Sequence, residues 1–302
     1  VTYRLLSDEL AAEVRRVARE QIDAALEGLG GNSTPEEGVH ETRRRLKRVR
    51  ALLRIVREPL GDVYQAENRR FRGVGRALAD VRDGHVARQT FDRLFPHPRS
   101  RQTKALDEAL TAALVRAVAG REPLDDRRPR LVRELAEGRR AVEGWPLSEV
   151  EAFEDLEAGL RRSYRRGRRG WRRSNKSRDP HDLHEWRKRV KYHREHVRLL
   201  RETWKRPLRG RRRSLSRLSD LLGEDHDLFM LRLRLVDAVD GAIGEGPLEA
   251  PLSVLERRRD RLQSGALLLG RRLYVEKPKR LAKRLRVCWQ AWLEESALHH
   301  VA

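Results

Sequence analysis

Six side chains, His40, Arg43, Lys47, Arg50, Arg54 and Arg57, step along the chain by 3, 4, 3, 4 and 3 residues. In a helix that spacing puts one titratable and five cationic groups on a single face. The same residue types recur 144 positions later as His184, Arg187, Lys191, Arg194, Arg198 and Arg201. Each row covers seventeen residue steps, or roughly 26 Å at 1.5 Å per residue. Such a ladder suits an extended anion better than a point charge: arginine offers forked donors and lysine a compact charge. The histidines stand at the N-terminal ends of their rows, where unpaired helix N–H groups already favour anions. A histidine in that place could donate to a phosphate oxygen, with binding strengthening as pH falls toward about 6.5.

Other chemistries are poorly served. HExxH zinc spacing is broken by Arg44 and Lys188 where the second histidine should stand. His181/His184 and His193/His196 lack a clear third ligand, so no metal site and no cofactor is expected. No GxxxxGK[ST] loop or GxSxG elbow occurs, and no enzymatic activity is expected. Asp80, Asp83, Glu224 and Asp227 could pair as acid and base, but arginine-orienting ion pairs or helix caps are the better reading.

The elements that must position these rows read as helices throughout. The 302-residue chain has 38% hydrophobic residues, only 5% aromatics, and little period-2 alternation. Breaks are expected at 28–35, 58–59, 96–98, 122–129, 144–146, 174–180, 207, 241–251 and near 278, leaving helices of roughly 12 to 27 residues. Beside the ladders run apolar faces, Leu46, Val49, Leu53 and Val56 in one row, Val190, Val197 and Leu200 in the other. These would dock each helix while its cations face a groove or cavity. Lone Cys288 excludes an intramolecular disulfide and is expected to pack as a small buried hydrophobe beside Val287 and Trp289.

The 144-residue offset covers more than the ladders. HETRRRLKRVRALLRIVRE (40–58) answers to HEWRKRVKYHREHVRLLRE (184–202), and LADVRD (78–83) to LGEDHD (222–227). With a two-residue shift, Leu10, Arg15, Arg16 and Arg19 answer to Leu156, Arg161, Arg162 and Arg165. The expectation is an all-α fold of two tandem helical bundles, 1–143 and 144–302, within one unit over 1–302, related by pseudo-two-fold symmetry around a basic groove or pore.

A net charge of +22 points to a polyanionic partner. The bland alternative is a solvated or internally neutralised helix face. Against it, residues 161–213 hold 23 Lys or Arg and five Asp or Glu, a net of +18, and the two rows agree at all six positions. Arg15, Arg19, Arg44, Arg161, Arg165 and Lys188 are secondary candidates for polyanion contact.

HETRRRLKRVRALL, then LRRSYRRGRRGW leading into LHEWRKRVKYH, resemble the hallmark segments of the CHAD (conserved histidine α-helical domain) proteins. The resemblance implies two helical bundles around a basic groove, binding of inorganic polyphosphate, and residence at polyphosphate granules. It also implies that the twelve ladder residues face the ligand. In other members a CHAD unit follows a triphosphate-processing barrel with an ExExK signature; this sequence has none, so that activity does not carry over.

Two rival readings stay open. Nucleic acid would suit the charge, and single strands would also want exposed stacking aromatics. Trp171, Trp186, Tyr192 and Trp204 are available but are expected to pack between helices. A granule-attached scaffold is the other. No apolar run reaches the roughly 18 residues of a membrane span, so a cytoplasmic protein with no membrane partner is expected. Oligomeric state, preferred chain length and a preceding domain stay open.

Overall fold

The computed structural model describes residues 2–30, 34–96, 100–119, 122–240 and 249–301. Among them there is no strand, and twelve α-helices run in order. They are α1 (Leu10–Leu29), α2 (Pro35–Ile55), α3 (Arg57–Leu60), α4 (Val63–Ala77), α5 (Asp80–Leu94), α6 (Arg101–Val118) and α7 (Leu124–Ala141). After a 3-10 turn at Val142–Gly144 come α8 (Phe153–Ser177) and α9 (Pro180–Leu199), a second 3-10 turn at Arg201–Trp204, then α10 (Lys205–Asp240), α11 (Glu249–Leu273) and α12 (Pro278–Val301).

The two ladder helices begin by the same local chemistry. Thr34 caps α2 by accepting the Glu37 N–H, with Pro35 in the first turn, where its missing N–H costs nothing. Asp179 caps α9 by accepting the N–H groups of His181 and Asp182, and Pro180 follows it. The apolar faces dock as expected: Leu46, Val49, Leu53, Val56, Val190, Val197 and Leu200 are all buried.

Those faces place α2 and α9 at the centre. Helix α2 packs on α1, α4, α8 and α9, while α9 packs on α8, α10 and α2. Where α8 crosses the end of α2, Gly159 is required, because a Cβ there would lie 1.9 Å from the Ile55 carbonyl oxygen. A second apolar cluster, with Phe91, Leu106, Leu110, Leu228, Leu231, Leu235, Leu255 and Leu262, joins α5, α6, α10 and α11. Helix α10 serves both clusters.

Several expected boundaries move. Pro129 lies inside α7 and Pro207 in the first turn of α10, which runs for 36 residues, well past the expected maximum. An unexpected break at Leu78–Ala79 separates α4 from α5, just after Gly73 and Gly75, both poor helix formers. The breaks expected at 96–98 and 241–251 fall largely outside the described residues. Cys288 is half-buried, with Val287 exposed on one side and Trp289 buried on the other. No helix among the described residues is long and apolar enough to cross a membrane.

Candidate functional site

Helices α2, α4, α8 and α9 enclose a cavity of 580 Å³. Helix α2 contributes Arg43, Lys47, Arg50 and Arg54; α9 contributes His184, Arg187, Lys188, Arg189, Lys191, Tyr192, Arg194 and Glu195. Helix α4 adds Asn68, Arg72 and Arg76, and α8 adds Arg166. Among the described residues, twelve arginine or lysine side chains thus line one cavity together with one carboxylate, Glu195.

Neutral groups contact three of these cations. Arg50 Nε and Arg54 Nη1 each donate to Asn68 Oδ1 at 3.3 Å, Arg54 donates to the Arg50 carbonyl at 2.6 Å, and Arg43 to the Gly75 carbonyl at 3.4 Å. The Arg54 guanidinium also lies 3.9 Å from the centre of the Tyr192 ring, a cation–π contact. Burial holds the Arg50 and Arg189 guanidinium groups below the usual arginine range. Among the described residues no carboxylate forms an ion pair with Arg50, Arg54, Arg72, Arg76 or Arg166. Other cations of the cavity do meet carboxylates. Glu185 pairs with Lys188 and Arg189, Asp227 lies 4.0 Å from Arg187, and Arg194 meets Glu195 at 2.9 Å.

Glu195 also binds the two ladder helices together. Buried Arg48 of α2 approaches it at 3.6 Å. Beside them His196 Nε2 meets the Ala51 carbonyl at 3.0 Å. Burial holds His196 at about 4, so this contact is made by a neutral imidazole that donates its Nε2 proton.

The ladders are shorter than their spacing suggests. Helix α2 ends at Ile55, so Arg57 belongs to α3, where its guanidinium lies 4.8 Å from the centre of the Tyr64 ring. It lines a small adjoining cavity that shares Arg54, Arg166, Arg189 and Tyr192 with the large one. Arg201 sits in the 3-10 turn and pairs with Glu202. Arg198 does not line the cavity; Glu195, Arg212, Arg44 and Tyr3 surround it, and burial lowers its pKa. The continuous α2 row facing the cavity runs from Arg43 to Arg54, roughly 16 Å.

The histidines part company. His40 is exposed and does not line the cavity. His184 lines the wall and stacks on His226 with ring centroids 4.4 Å apart. Burial, then Lys188 and Arg187, hold His184 at about 4, and burial with Arg187 holds His226 at about 3. Neither carries charge near pH 6.5, so the titration expected of His184 moves to lower pH.

Of the secondary candidates, only Lys188 reaches the cavity. Arg15 donates to the Trp145 carbonyl at 2.9 Å, Arg19 pairs with Glu143, and Arg44 with Glu41. Arg161 and Arg165 lie on α8 outside both cavities. Glu224 pairs with Arg258 and Asp227 with Arg187, the orienting role expected of them; the side chains of Asp80 and Asp83 lie outside the described residues. Trp186 is buried, the Trp171 indole donates to the Leu267 carbonyl and Tyr192 packs under Arg54, but Trp204 is 46% exposed, contrary to expectation.

The ladder pattern overlooks Asn68, Arg72, Arg76, Arg166 and Arg189. Arg69, Arg72 and Arg76 also step by 3 and 4, a weaker copy of the same signal, and Arg189 is the repeat of Arg45. Asn68 carries no charge signal at all.

The family model for the CHAD domain matches residues 10–236. The chain belongs to the CHAD domain family. No curated protein and no solved structure matches it. The matched CHAD segment contains every residue lining the cavity and ends within α10. Helices α11 and α12 lie beyond it and pack on α10 and α8.

Proposed function

We propose that this CHAD domain binds inorganic polyphosphate in the cavity between α2, α4, α8 and α9, without catalysis. The observation that carries the reading is the excess of Lys and Arg over carboxylates, twelve to one among the described residues that line the cavity. Among the described residues Arg50, Arg54, Arg72, Arg76 and Arg166 form no ion pair with a carboxylate, and Arg50 and Arg54 are oriented by neutral acceptors, so their charge can meet an entering anion. Polyphosphate has about one negative charge per unit, no bases to read and a flexible backbone. Its affinity should fall steeply with salt through counterion release. Association with polyphosphate granules follows from the same chemistry.

We further infer a duplicated architecture, which several correspondences between the two halves support. Helix α3 and the turn at Arg201–Trp204 are offset by 144 residues, and α4 with α5 spans the stretch that answers to α10. Glu41 pairs with Arg44 and Arg45 as Glu185 does with Lys188 and Arg189. Equivalent helices α2 and α9 meet each other directly, as an axis passing between them requires. On this reading 1–143 and 144–302 are two halves of one unit.

The test is competition. Binding to long-chain polyphosphate should survive excess duplex DNA and RNA at moderate salt; displacement at equal phosphate concentration would make this a general polyanion or nucleic-acid binder. Replacing Arg43, Lys47, Arg50, Arg187, Lys191 and Arg194 by Ala should abolish binding in a folded protein, and undiminished affinity would refute the cavity assignment.

A further inference from the structure

Helix α8 carries a second row of cations that the cavity does not use up. Its buried face is a regular stripe of Leu156, Leu160, Ser163, Gly167, Gly170 and Ser174. One residue before each of the last four, and so on one flank about 100° around the helix, come Arg162, Arg166, Arg169 and Arg173; Lys176 extends the same flank. All five positions of that flank are cationic, stepping by 4, 3, 4 and 3.

The row starts inside and runs outward. Arg162 pairs with Glu58 at 2.5 Å beside the small adjoining cavity, and Arg166 lines both cavities. Arg169 is one turn beyond, and Lys176 roughly 15 Å beyond Arg166. Arg169, Arg173 and Lys176 are exposed. Helix α9 walls the other side: Asp182 reaches Arg173 at 3.5 Å in an open, weak pair and also accepts from Ser177. Glu185 is engaged with Lys188 and Arg189. Among the described residues no carboxylate forms an ion pair with Arg169 or Lys176.

We infer that this α8 flank is an outer track, on which the part of a linear polyphosphate that the cavity cannot hold is bound as it leaves past Arg166. The inference rests on the cavity reading above. It assigns the site a chain-length dependence: a short phosphate oligomer occupies the cavity alone, and a long chain makes additional contacts with Arg169, Arg173 and Lys176.

The experiment compares tripolyphosphate with long-chain polyphosphate on an Arg169→Ala, Lys176→Ala double variant by calorimetry across a salt series. An Arg271→Ala, Arg272→Ala variant, which removes the same charge from the exposed end of α11, is the control. Two exposed contacts predict a loss of about 2- to 30-fold for the long chain. Its log–log salt slope should become shallower by about 1.4. Tripolyphosphate should be unaffected, as should both ligands on the control. Undiminished long-chain affinity with an unchanged slope overturns the track. So does an equal loss for both ligands, or an equal loss on the control, since either reduces the row to general charge. Failure of the cavity reading is separately visible: tripolyphosphate would then bind the six-residue cavity variant as well as it binds the unaltered protein.

Discussion

Asn68 is the most informative single position, because it tests whether the cavity keeps its charge uncompensated for a ligand. Its Oδ1 accepts from Arg50 and Arg54, both at 3.3 Å. Asn68→Asp keeps the shape and adds one negative charge at that distance from two guanidinium groups. Two unit charges 4 Å apart at an effective dielectric near 20 attract by about 4 kcal/mol. Asn68 is half-buried, so solvent screening lowers this to about 1 kcal/mol per arginine, and the variant should gain about 2 kcal/mol in stability. The same carboxylate occupies two donors that a phosphate would take, each worth about 1–1.5 kcal/mol, so polyphosphate affinity should fall about 30- to 150-fold. Asn68→Ala should do the reverse: stability drops by about 1–2 kcal/mol while affinity changes less than about 3-fold. Denaturant midpoints and titration calorimetry at one salt concentration read both quantities. If Asn68→Asp melts below the unaltered protein, or binds polyphosphate equally well, the cavity cations are already neutralised and the reasoning fails.

Four further outcomes are expected. Arg50→Ala should cost about 10-fold in polyphosphate affinity, one charge-assisted contact, whereas Arg198→Ala and Arg201→Ala, whose side chains lie off the cavity, should each cost less than about 3-fold in the same titration. Gly159→Ala should lower stability by about 2–3 kcal/mol in urea unfolding, since its Cβ would overlap the Ile55 carbonyl and α8 must move off α2. Glu195→Gln should cost about 3 kcal/mol by leaving Arg48 buried without its carboxylate, an effect seen as a lower melting temperature even in the absence of ligand. His196, His184 and His226 have folded pKa values near 4, 4 and 3, below the unfolded 6.5. The unfolded chain therefore binds more protons as pH falls. Their contribution is complete above about pH 6.5 and is lost as pH falls toward 4, by up to about 1.4 kcal/mol per pH unit for fully buried His196. A melting temperature that stays level from pH 7 to pH 4.5 would contradict this.

The all-helical class, the docking faces and eight of the twelve ladder positions were legible because helical periodicity alone decides them. Arg43, Lys47, Arg50, Arg54, His184, Arg187, Lys191 and Arg194 line one cavity. Arg57 and Arg201 lie off the ladder helices because spacing carries no information about where a helix stops; both helices end just before them. Arg198 keeps the helical phase, but its environment is set by Tyr3 and Arg212, from distant segments. His40 and His184 occupy equal places in sequence, yet His184 has His226 to stack on, while position 82 holds an arginine where the first copy would need that histidine. Asn68 was invisible because a neutral acceptor matters only once two arginines are folded against it.

Stability and binding make opposite demands on these helices, and the structure separates them by face. The apolar rows of α2 and α9 are buried and support the fold, whereas eight residues of the rows beside them face a cavity that holds one carboxylate among the described residues. That carboxylate is placed where its work is structural: Glu195 is 6% exposed and compensates Arg48 at the contact between α2 and α9. Along the α2 row, the acceptors found for Arg50 and Arg54 are a carbonyl, an amide and an aromatic face. Such groups orient a guanidinium without cancelling its charge. On the proposed function, Arg50 and Arg54 thus keep a charge that an entering polyanion can meet while their side chains stay fixed.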